Sequence, residues 1–112
     1  MTEPVYTAVV AADEIPEKSI SSFEINGLEI IICRFRDDYY ALENRCSHAL
    51  SSFDGGRLRA WTLICPLHGG TFDIRDGSCT GFPAKRAIQS YPCRVQDGMV
   101  EVALDAASTV TA

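Results

Sequence analysis

Histidine is scarce in this chain of 112 residues, which contains only two. The sequence also lacks any apolar run near the ~20 residues that a membrane-spanning helix requires. Its first ten residues, MTEPVYTAVV, lack the basic segment and apolar stretch of a secretory signal. These absences predict a cytoplasmic protein with no membrane segment.

Positive charge is also short, because 10 basic residues face 15 acidic ones and the formal net charge is −5. Nucleic-acid-binding proteins carry basic patches, so this balance argues against a nucleic-acid partner. Complementary charge mainly raises the rate of encounter between proteins. From net charge alone, we expect a protein partner with a basic docking surface.

The chain has five cysteines, an odd number, and no visible export signal. In a reducing compartment such cysteines are more often metal ligands or catalytic groups than disulfides. Cys33, Cys79 and Cys93 have no ligand-like spacing, and Cys33 lies in the apolar stretch IIICRF. We expect Cys33 to be a buried strand residue.

The distribution of β-branched and aromatic residues between short turn signals predicts an all-β domain. Asn26-Gly27, Asp76-Gly77 and Asp97-Gly98 are favoured tight-turn pairs, and Arg36-Asp37-Asp38 is expected to close another hairpin. The predicted strands are 5–10, 19–25, 28–35, 39–43, 62–64, 71–75, 87–95 and 99–104. Residues 11–18 are predicted to form a polar loop or short helical turn, and 105–112 a flexible tail.

Both histidines belong to short mixed pairs with cysteine, Cys46-x-His48 and Cys65-x-x-His68, which are separated by sixteen residues. Thiolate and imidazole are the side chains best suited to transition metals. Two short pairs, each held by its own turn, can converge from adjacent loops. The pattern therefore predicts a metal site.

Two metals and one metal-free alternative account for these pairs. A structural zinc ion accepts two cysteines and two histidines, although zinc modules usually group like ligands together. A [2Fe–2S] cluster with two cysteines on one iron and two histidines on the other suits mixed pairs, since each loop supplies one ligand to each iron. Alternatively, the residues are unrelated core cysteines and surface histidines, which is improbable when only two histidines exist.

The pattern resembles the Rieske iron–sulfur motif, and the chain resembles the small Rieske ferredoxins of bacterial aromatic-ring-hydroxylating dioxygenases. The resemblance covers roughly residues 4–104. The matching residues are Cys46, His48, 65–70 (CPLHGG), Phe72, Asp73 and 81–84 (GFPA). It implies one Rieske domain over 1–104, with stacked antiparallel sheets and a small cluster-binding subdomain at about 44–84. It also implies one [2Fe–2S] cluster bound by Cys46, His48, Cys65 and His68, with the segment around Pro83 as a third, shielding loop.

The same resemblance implies a function, namely that of a monomeric electron carrier with no catalysis of its own. Its partners would be an NAD(P)H-dependent flavoprotein ferredoxin reductase and a terminal Rieske oxygenase that attacks an aromatic ring. The alternative is a small Rieske subunit of a nitrite reductase or arsenite oxidase type of complex. The chain has no spare histidines for the additional mononuclear iron of a catalytic oxygenase subunit.

Two features predict a low redox potential. High-potential Rieske proteins have a disulfide between their ligand loops, where this chain has Ser51 and Leu67, and hydroxyl donors where it has Gly70 and Phe72. Hydrogen bonds to the sulfurs tune the potential of a cluster. We therefore expect a potential of roughly −150 mV, the lower end of the Rieske range.

The sequence departs from the family at three positions that are not ligands. Ala49 and Ala60 stand where relatives often have glycine, and Ile64 stands in place of a common polar residue. The apolar residues of the predicted loops, Leu50, Phe53, Leu67, Phe82 and Pro83, are expected to cover the cluster and exclude water, and some could also form a docking ring for partners.

Overall fold

Short β-strands separated by tight turns make up the structure. The computed structural model describes residues 5–45, 52–53, 55–66, 70–81 and 86–104. The strands there are β1 (Thr7–Ala11), β2 (Ser19–Ile25), β3 (Leu28–Phe35), β4 (Asp38–Glu43), β5 (Arg57–Arg59), β6 (Thr62–Ile64), β7 (Thr71–Asp73), β8 (Cys79–Gly81), β9 (Ser90–Tyr91), β10 (Cys93–Gln96) and β11 (Met99–Val102). A 3₁₀ turn spans Ala12–Glu14, within the predicted polar loop.

The strands form three antiparallel sheets. The terminal sheet has the order β1-β11-β10, the central sheet β2-β3-β4-β9, and the loop-bearing sheet β5-β6-β7-β8. Every pairing is antiparallel. The predicted all-β fold of stacked antiparallel sheets is therefore confirmed.

Strand β3 joins the two hydrophobic cores because its side chains alternate between the faces of the central sheet. Ile31, Cys33 and Phe35 pack in a core with residues of the loop-bearing sheet. Ile30 and Ile32 point the other way, into a core shared with the terminal sheet. A strand buried on both faces is continuously apolar, which explains the run IIIC in the sequence.

Two of the three predicted turn pairs, Asn26-Gly27 and Asp97-Gly98, form tight hairpin turns. Asn26 and Gly27 have φ values of 52° and 83°, and Asp97 and Gly98 have values of 54° and 78°. These are the two consecutive positive angles that a type I′ turn requires. Arg36, with a φ of 59°, begins the predicted turn between β3 and β4.

Some strand predictions are wrong in detail. The single strand predicted over 87–95 is two strands, β9 and β10, interrupted at Pro92, which has no N–H to donate to a ladder. Strands β5 and β8 were not predicted, because β5 directly follows Gly55-Gly56 and β8 lies between Gly77 and Pro83, and such glycines and prolines are typical of turns. The predicted tail, 105–112, lies outside the described residues.

Trp61 attaches the loop-bearing sheet to the central sheet. It follows β5 at a tight turn and makes edge-to-face contacts with Phe35 and Tyr40, at centroid distances of 4.8 and 6.0 Å. The guanidinium carbon of Arg75 lies 5.0 Å from the Trp61 ring centroid. Among the described residues, no helix is long and apolar enough to cross a membrane.

Candidate metal centre

Of the four predicted ligands, the structure describes Cys65. It directly follows β6 and is 2% exposed. Cys46, His48 and His68 lie outside the described residues, as do Leu50, Leu67, Phe82 and Pro83. Because the other three predicted ligands lie outside the described residues, those residues contain no group of three metal-ligating side chains.

The second ligand pair belongs to the hairpin loop that connects β6 and β7. Ile64 pairs with Thr71 across the ladder, and the Cys65 N–H donates to the Gly70 carbonyl at 2.9 Å. This bond closes the base of a loop over residues 66–69, to which His68 belongs. The hairpin therefore presents Cys65 from a fixed backbone position, with its side chain buried.

The first ligand pair belongs to the segment between Asn44 and Phe53, and Asn44 closes this segment at its base. The Asn44 side chain is 7% exposed, and its Oδ1 accepts the Phe53 N–H at 2.8 Å. Its own N–H donates to the Glu29 carbonyl at 3.0 Å, and its Nδ2 donates to Ser22 Oγ at 3.4 Å. Cys46 and His48 thus belong to a loop whose two ends are held together by one buried amide.

The bases of the two loops are in contact. An added Cβ at Gly56 would lie 2.5 Å from the Ile64 carbonyl oxygen and 3.3 Å from Pro66 Cδ. Only glycine permits this approach without a shift of the backbone. The chain leaving the first loop therefore runs directly against the residues on both sides of Cys65.

Two buried aromatic rings lie under the loops. Phe53 and Phe72 are fully buried and make an edge-to-face contact, with centroids 5.6 Å apart. Both belong to the same core as Cys65. Phe53, one of the predicted apolar covering residues, therefore lies in the core, and so does Phe72.

The expected third loop begins beside the second. Thr71 pairs with Gly81 at the end of β8, and the Thr80 hydroxyl donates to Thr71 Oγ1 at 3.0 Å. An added Cβ at Gly81 would collide with the Thr71 side chain. Strand β8 therefore ends next to the start of β7, directly before the segment that contains Pro83, which lies outside the described residues.

The remaining cysteines have different surroundings from Cys65. None of Cys33, Cys65, Cys79 and Cys93 is in a disulfide. Burial raises the pKa of the Cys33 thiol to about 12, with a smaller contribution from Cys93, and burial raises the pKa of Cys93 to about 12 as well. Such thiols hold their protons at neutral pH and are poor ligands. Cys33 is fully buried in β3, as predicted.

The donor set and its supports fit an iron–sulfur cluster. The structure holds together the ends of the first loop, places the second loop against it, and buries the sulfur-bearing residue that it describes. Two loops that each carry one thiol and one imidazole can supply one ligand of each kind. This arrangement differs from structural zinc modules, in which cysteine pairs and histidine pairs are separate.

Comparison with known proteins agrees with this chemistry. The model of the Rieske [2Fe-2S] domain family matches residues 5–92. The ferredoxin component of a naphthalene 1,2-dioxygenase system from Pseudomonas aeruginosa is 32% identical over 104 residues, which are 93% of this chain and 99% of that protein.

Solved structures of ferredoxins have the same fold. The ferredoxin of carbazole 1,9a-dioxygenase from Nocardioides aromaticivorans IC177 matches with a TM-score of 0.83 and 33% identity, over 91% of this chain and 98% of its own. A ferredoxin in a complex of reduced oxygenase and oxidized ferredoxin in carbazole 1,9a-dioxygenase matches with a TM-score of 0.83 and 27% identity, over 90% and 94% of the two chains.

These similarities define the class of protein. The chain belongs to the Rieske [2Fe-2S] domain family, and its cofactor is one [2Fe–2S] cluster.

Sequence reasoning missed one functional residue, Asn44. The signal in the sequence was an asparagine directly after the predicted strand 39–43 and two residues before Cys46. If such a polar group is buried, it must find hydrogen-bond partners. The partner, the Phe53 N–H, could not be identified without the path of the loop.

Proposed function

We propose that this protein is a ferredoxin that carries single electrons from an NAD(P)H-dependent flavoprotein reductase to the terminal oxygenase of an aromatic-ring dioxygenase system. The observation that carries the proposal is the contact between the bases of two loops that each contain one cysteine and one histidine. The relatives named above, which are ferredoxin components of naphthalene and carbazole dioxygenases, support the choice of system.

We assign Cys46 and Cys65 to one iron of the cluster, and His48 and His68 to the other. When bound, the cluster accepts and releases one electron, at a potential that neutral histidine ligands raise above that of four-cysteine ferredoxins. The chain's own residues hold the ligand loops together and exclude water. Asn44 closes the first loop, the Cys65–Gly70 hydrogen bond closes the second, and Phe53 and Phe72 fill the space beneath.

The absence of substrate chemistry is part of the proposal. Both histidines of these 112 residues are assigned to the cluster, so none remains for a mononuclear iron site within them. We assign 1–104 to a single domain with a cluster-binding subdomain at about 44–84, in a cytoplasmic monomer that meets its two partners in turn.

The assignment is tested on the purified protein by iron and sulfide analysis and by the paramagnetic signal of the reduced state. We expect about two irons and two sulfides per chain, a Rieske-type signal, and a midpoint potential of roughly −150 mV. His48→Ala and His68→Ala should each abolish the signal, whereas Cys79→Ser should retain it. Bound zinc, or an intact cluster in either histidine variant, would refute the ligand assignment.

The carrier role needs a separate measurement. We expect catalytic amounts of an NADH-dependent flavoprotein reductase to reduce the protein, and the reduced protein to support turnover of an aromatic-ring dioxygenase. Gel filtration should show a monomer. Purification only as part of a stable larger complex would instead favour the alternative, a small subunit of a nitrite reductase or arsenite oxidase type of complex.

A further inference from the structure

Charge is divided unevenly between the two parts of this molecule. The segment 45–89, which contains the loop-bearing sheet and the ligand loops, has six basic and three acidic residues. The rest of the chain, which contains the central and terminal sheets, has four basic and twelve acidic residues. The net negative charge therefore belongs to the part of the chain that forms the central and terminal sheets, and the segment 45–89 is positive. Three of the acidic residues, Glu24, Glu29 and Glu43, lie at the end of the central sheet where Asn44 closes the first loop.

Ion pairs do not change the sign of the net charge of either part. In the loop-bearing sheet, Arg75 binds Asp73 at 2.7 Å, and this hydrogen bond lowers the pKa of Asp73. In the other sheets, Arg94 binds Glu101 at 2.7 Å, and Arg34 lies 3.8 Å from Asp37. These pairs remove equal numbers of positive and negative charges from each part, so the sign of each remainder is unchanged.

Two exposed arginines border the ligand loops, and we name Arg45 and Arg57 the arginine edge. Neither has an ion pair with another described residue. Arg57 lies on β5, which is an edge strand. Arg59 is on the same side of β5 but pairs with Thr62, at the end of the hairpin away from Cys65.

The backbone places the arginine edge at both ligand loops. Arg45 directly precedes Cys46, and Arg57 pairs across the ladder with Ile64, which directly precedes Cys65. One chain of hydrogen bonds links their neighbours: the Gly56 N–H donates to the Phe53 carbonyl at 2.8 Å, and the Phe53 N–H donates to Asn44 Oδ1 at 2.8 Å. Arg45 and Arg57 therefore flank the base of the first loop.

We propose that the flavoprotein reductase docks on the arginine edge through a surface rich in aspartate and glutamate. This inference rests on the proposed function, and it reverses the expectation of a basic partner surface drawn from net charge. Guanidinium groups bind carboxylates with two parallel hydrogen bonds. Asp37 and Asp38, at the end of β4 far from Asn44, repel the same surface and so disfavour docking at that end.

The first test measures the local charge with small redox ions. The reduced protein is mixed with hexacyanoferrate(III), an anion, and with tris(1,10-phenanthroline)cobalt(III), a cation, at a series of ionic strengths. If the ligand end is positive, the rate constant with the anion falls as salt is added and that with the cation rises. The opposite pair of slopes, or no dependence on salt, would overturn the proposal.

Charge reversal at a single position makes the test specific. Arg57→Glu should slow oxidation by the anion roughly fivefold or more at ~10 mM ionic strength, where the Debye length is ~30 Å. Arg36→Glu is the matched control, because it makes the same change in net charge in the turn before β4. Asn44 directly follows the other end of that strand. Arg36→Glu should change the rate about twofold or less, since the distance is greater.

The same two variants are then tested with the reductase, by the rate constant of reduction and by equilibrium binding to the immobilised protein. Arg57→Glu should weaken binding and slow reduction by a factor similar to that with the anion, and Arg36→Glu should not. Equal effects of the two variants, or stronger binding of Arg57→Glu, would overturn the proposal.

Cluster content separates this inference from the proposed function. Both variants should retain the iron, the sulfide and the paramagnetic signal of the parent protein. A parent protein that lacks the cluster, or that no flavoprotein reduces, contradicts the proposed function. A competent parent whose binding is indifferent to Arg57→Glu contradicts only the acidic docking surface.

Discussion

Asn44 is the buried polar side chain among the described residues, and its hydrogen bonds link the central sheet to the first ligand loop. Its Oδ1 satisfies the N–H of Phe53, a residue with no exposed surface. A buried donor that loses its acceptor costs about 1–3 kcal/mol, which is more than the net worth of the bond. Asn44 therefore ties together the two described ends of the segment that contains Cys46 and His48.

Asn44→Leu is expected to lower the free energy of unfolding by about 2 kcal/mol, because leucine has a similar size but leaves the Phe53 N–H unpaired. The variant should also lose its cluster faster, since the ends of the first loop are no longer tied. Chemical denaturation and the decay of the visible absorbance measure the two effects. Ser22→Ala is the control, because it removes the 3.4 Å contact to Asn44 but keeps the Asn44–Phe53 hydrogen bond, and it should leave cluster retention unchanged.

Ala60 has a backbone conformation that suits glycine, the residue that the family resemblance leads one to expect there. It is the first residue of the two-residue loop between β5 and β6, and its φ is 52°. Residues with a Cβ pay about 1–2 kcal/mol for this left-handed region. The departure noted in the sequence is therefore a site of local strain.

Ala60→Gly is expected to stabilise the protein by about 0.5–1 kcal/mol, which is the relieved strain less the greater freedom of glycine in the unfolded chain. Thermal or chemical denaturation would measure the gain. Ala41→Gly, at a buried position of β4, should destabilise by about 1 kcal/mol instead. A destabilised Ala60→Gly variant would refute the assignment of strain.

At the scale of the elements, the two ligand loops depend on the close approach at Gly56. The first loop leads into β5 and the second begins at the end of β6, so one backbone contact sets their relative position. A methyl group at Gly56 must displace either the Ile64 carbonyl or Pro66. Both neighbours border Cys65.

Gly56→Ala is expected to cost about 1–3 kcal/mol of stability, the range for overpacking a tight site. It should also shift the midpoint potential or shorten cluster retention, because the two loops are pushed apart. Gly27→Ala is the control: its φ of 83° makes it unfavourable, but no atom lies within 4 Å of the added Cβ. It should cost about 1 kcal/mol and leave the potential unchanged.

At the scale of the whole molecule, β3 couples the two hydrophobic cores and carries a thiol that resists ionisation. Burial raises the pKa of Cys33 and of Cys93 from the ordinary value of 9.0 to about 12. Burial also raises the pKa of Tyr40 and of Tyr91. All four groups favour the protonated form in the folded protein, so their effects on stability have the same sign.

The raised pKa values of these buried groups predict a loss of stability at alkaline pH. In the unfolded chain these thiols ionise near pH 9, whereas in the folded protein they hold their protons to about pH 12. The free energy of unfolding is therefore at its full value below pH 9 and should fall between pH 9 and 12. The double variant Cys33→Ala, Cys93→Ala, although less stable at pH 7, should show a shallower fall, and identical slopes would contradict the assignment.

The sequence alone indicated the candidate ligand pairs, the family and most strands, because these depend on short-range spacing. Two residues between Cys65 and His68 define a turn, and alternation along β2, β3 and β4 defines half-buried or fully buried strands. Asn-Gly and Asp-Gly pairs defined two hairpins because few other residues accept positive φ at both positions. None of these features requires knowledge of distant contacts.

Only the tertiary structure decided how those parts serve the site. The Asn44–Phe53 hydrogen bond, the approach of Gly56 to Pro66 and the position of Arg57 beside Ile64 join residues from different elements. Net charge pointed to a basic partner, whereas the fold places the exposed Arg45 and Arg57 beside the two ligand loops. The physical reason is that through-space contacts depend on how sheets pack, which local patterns along a chain do not encode.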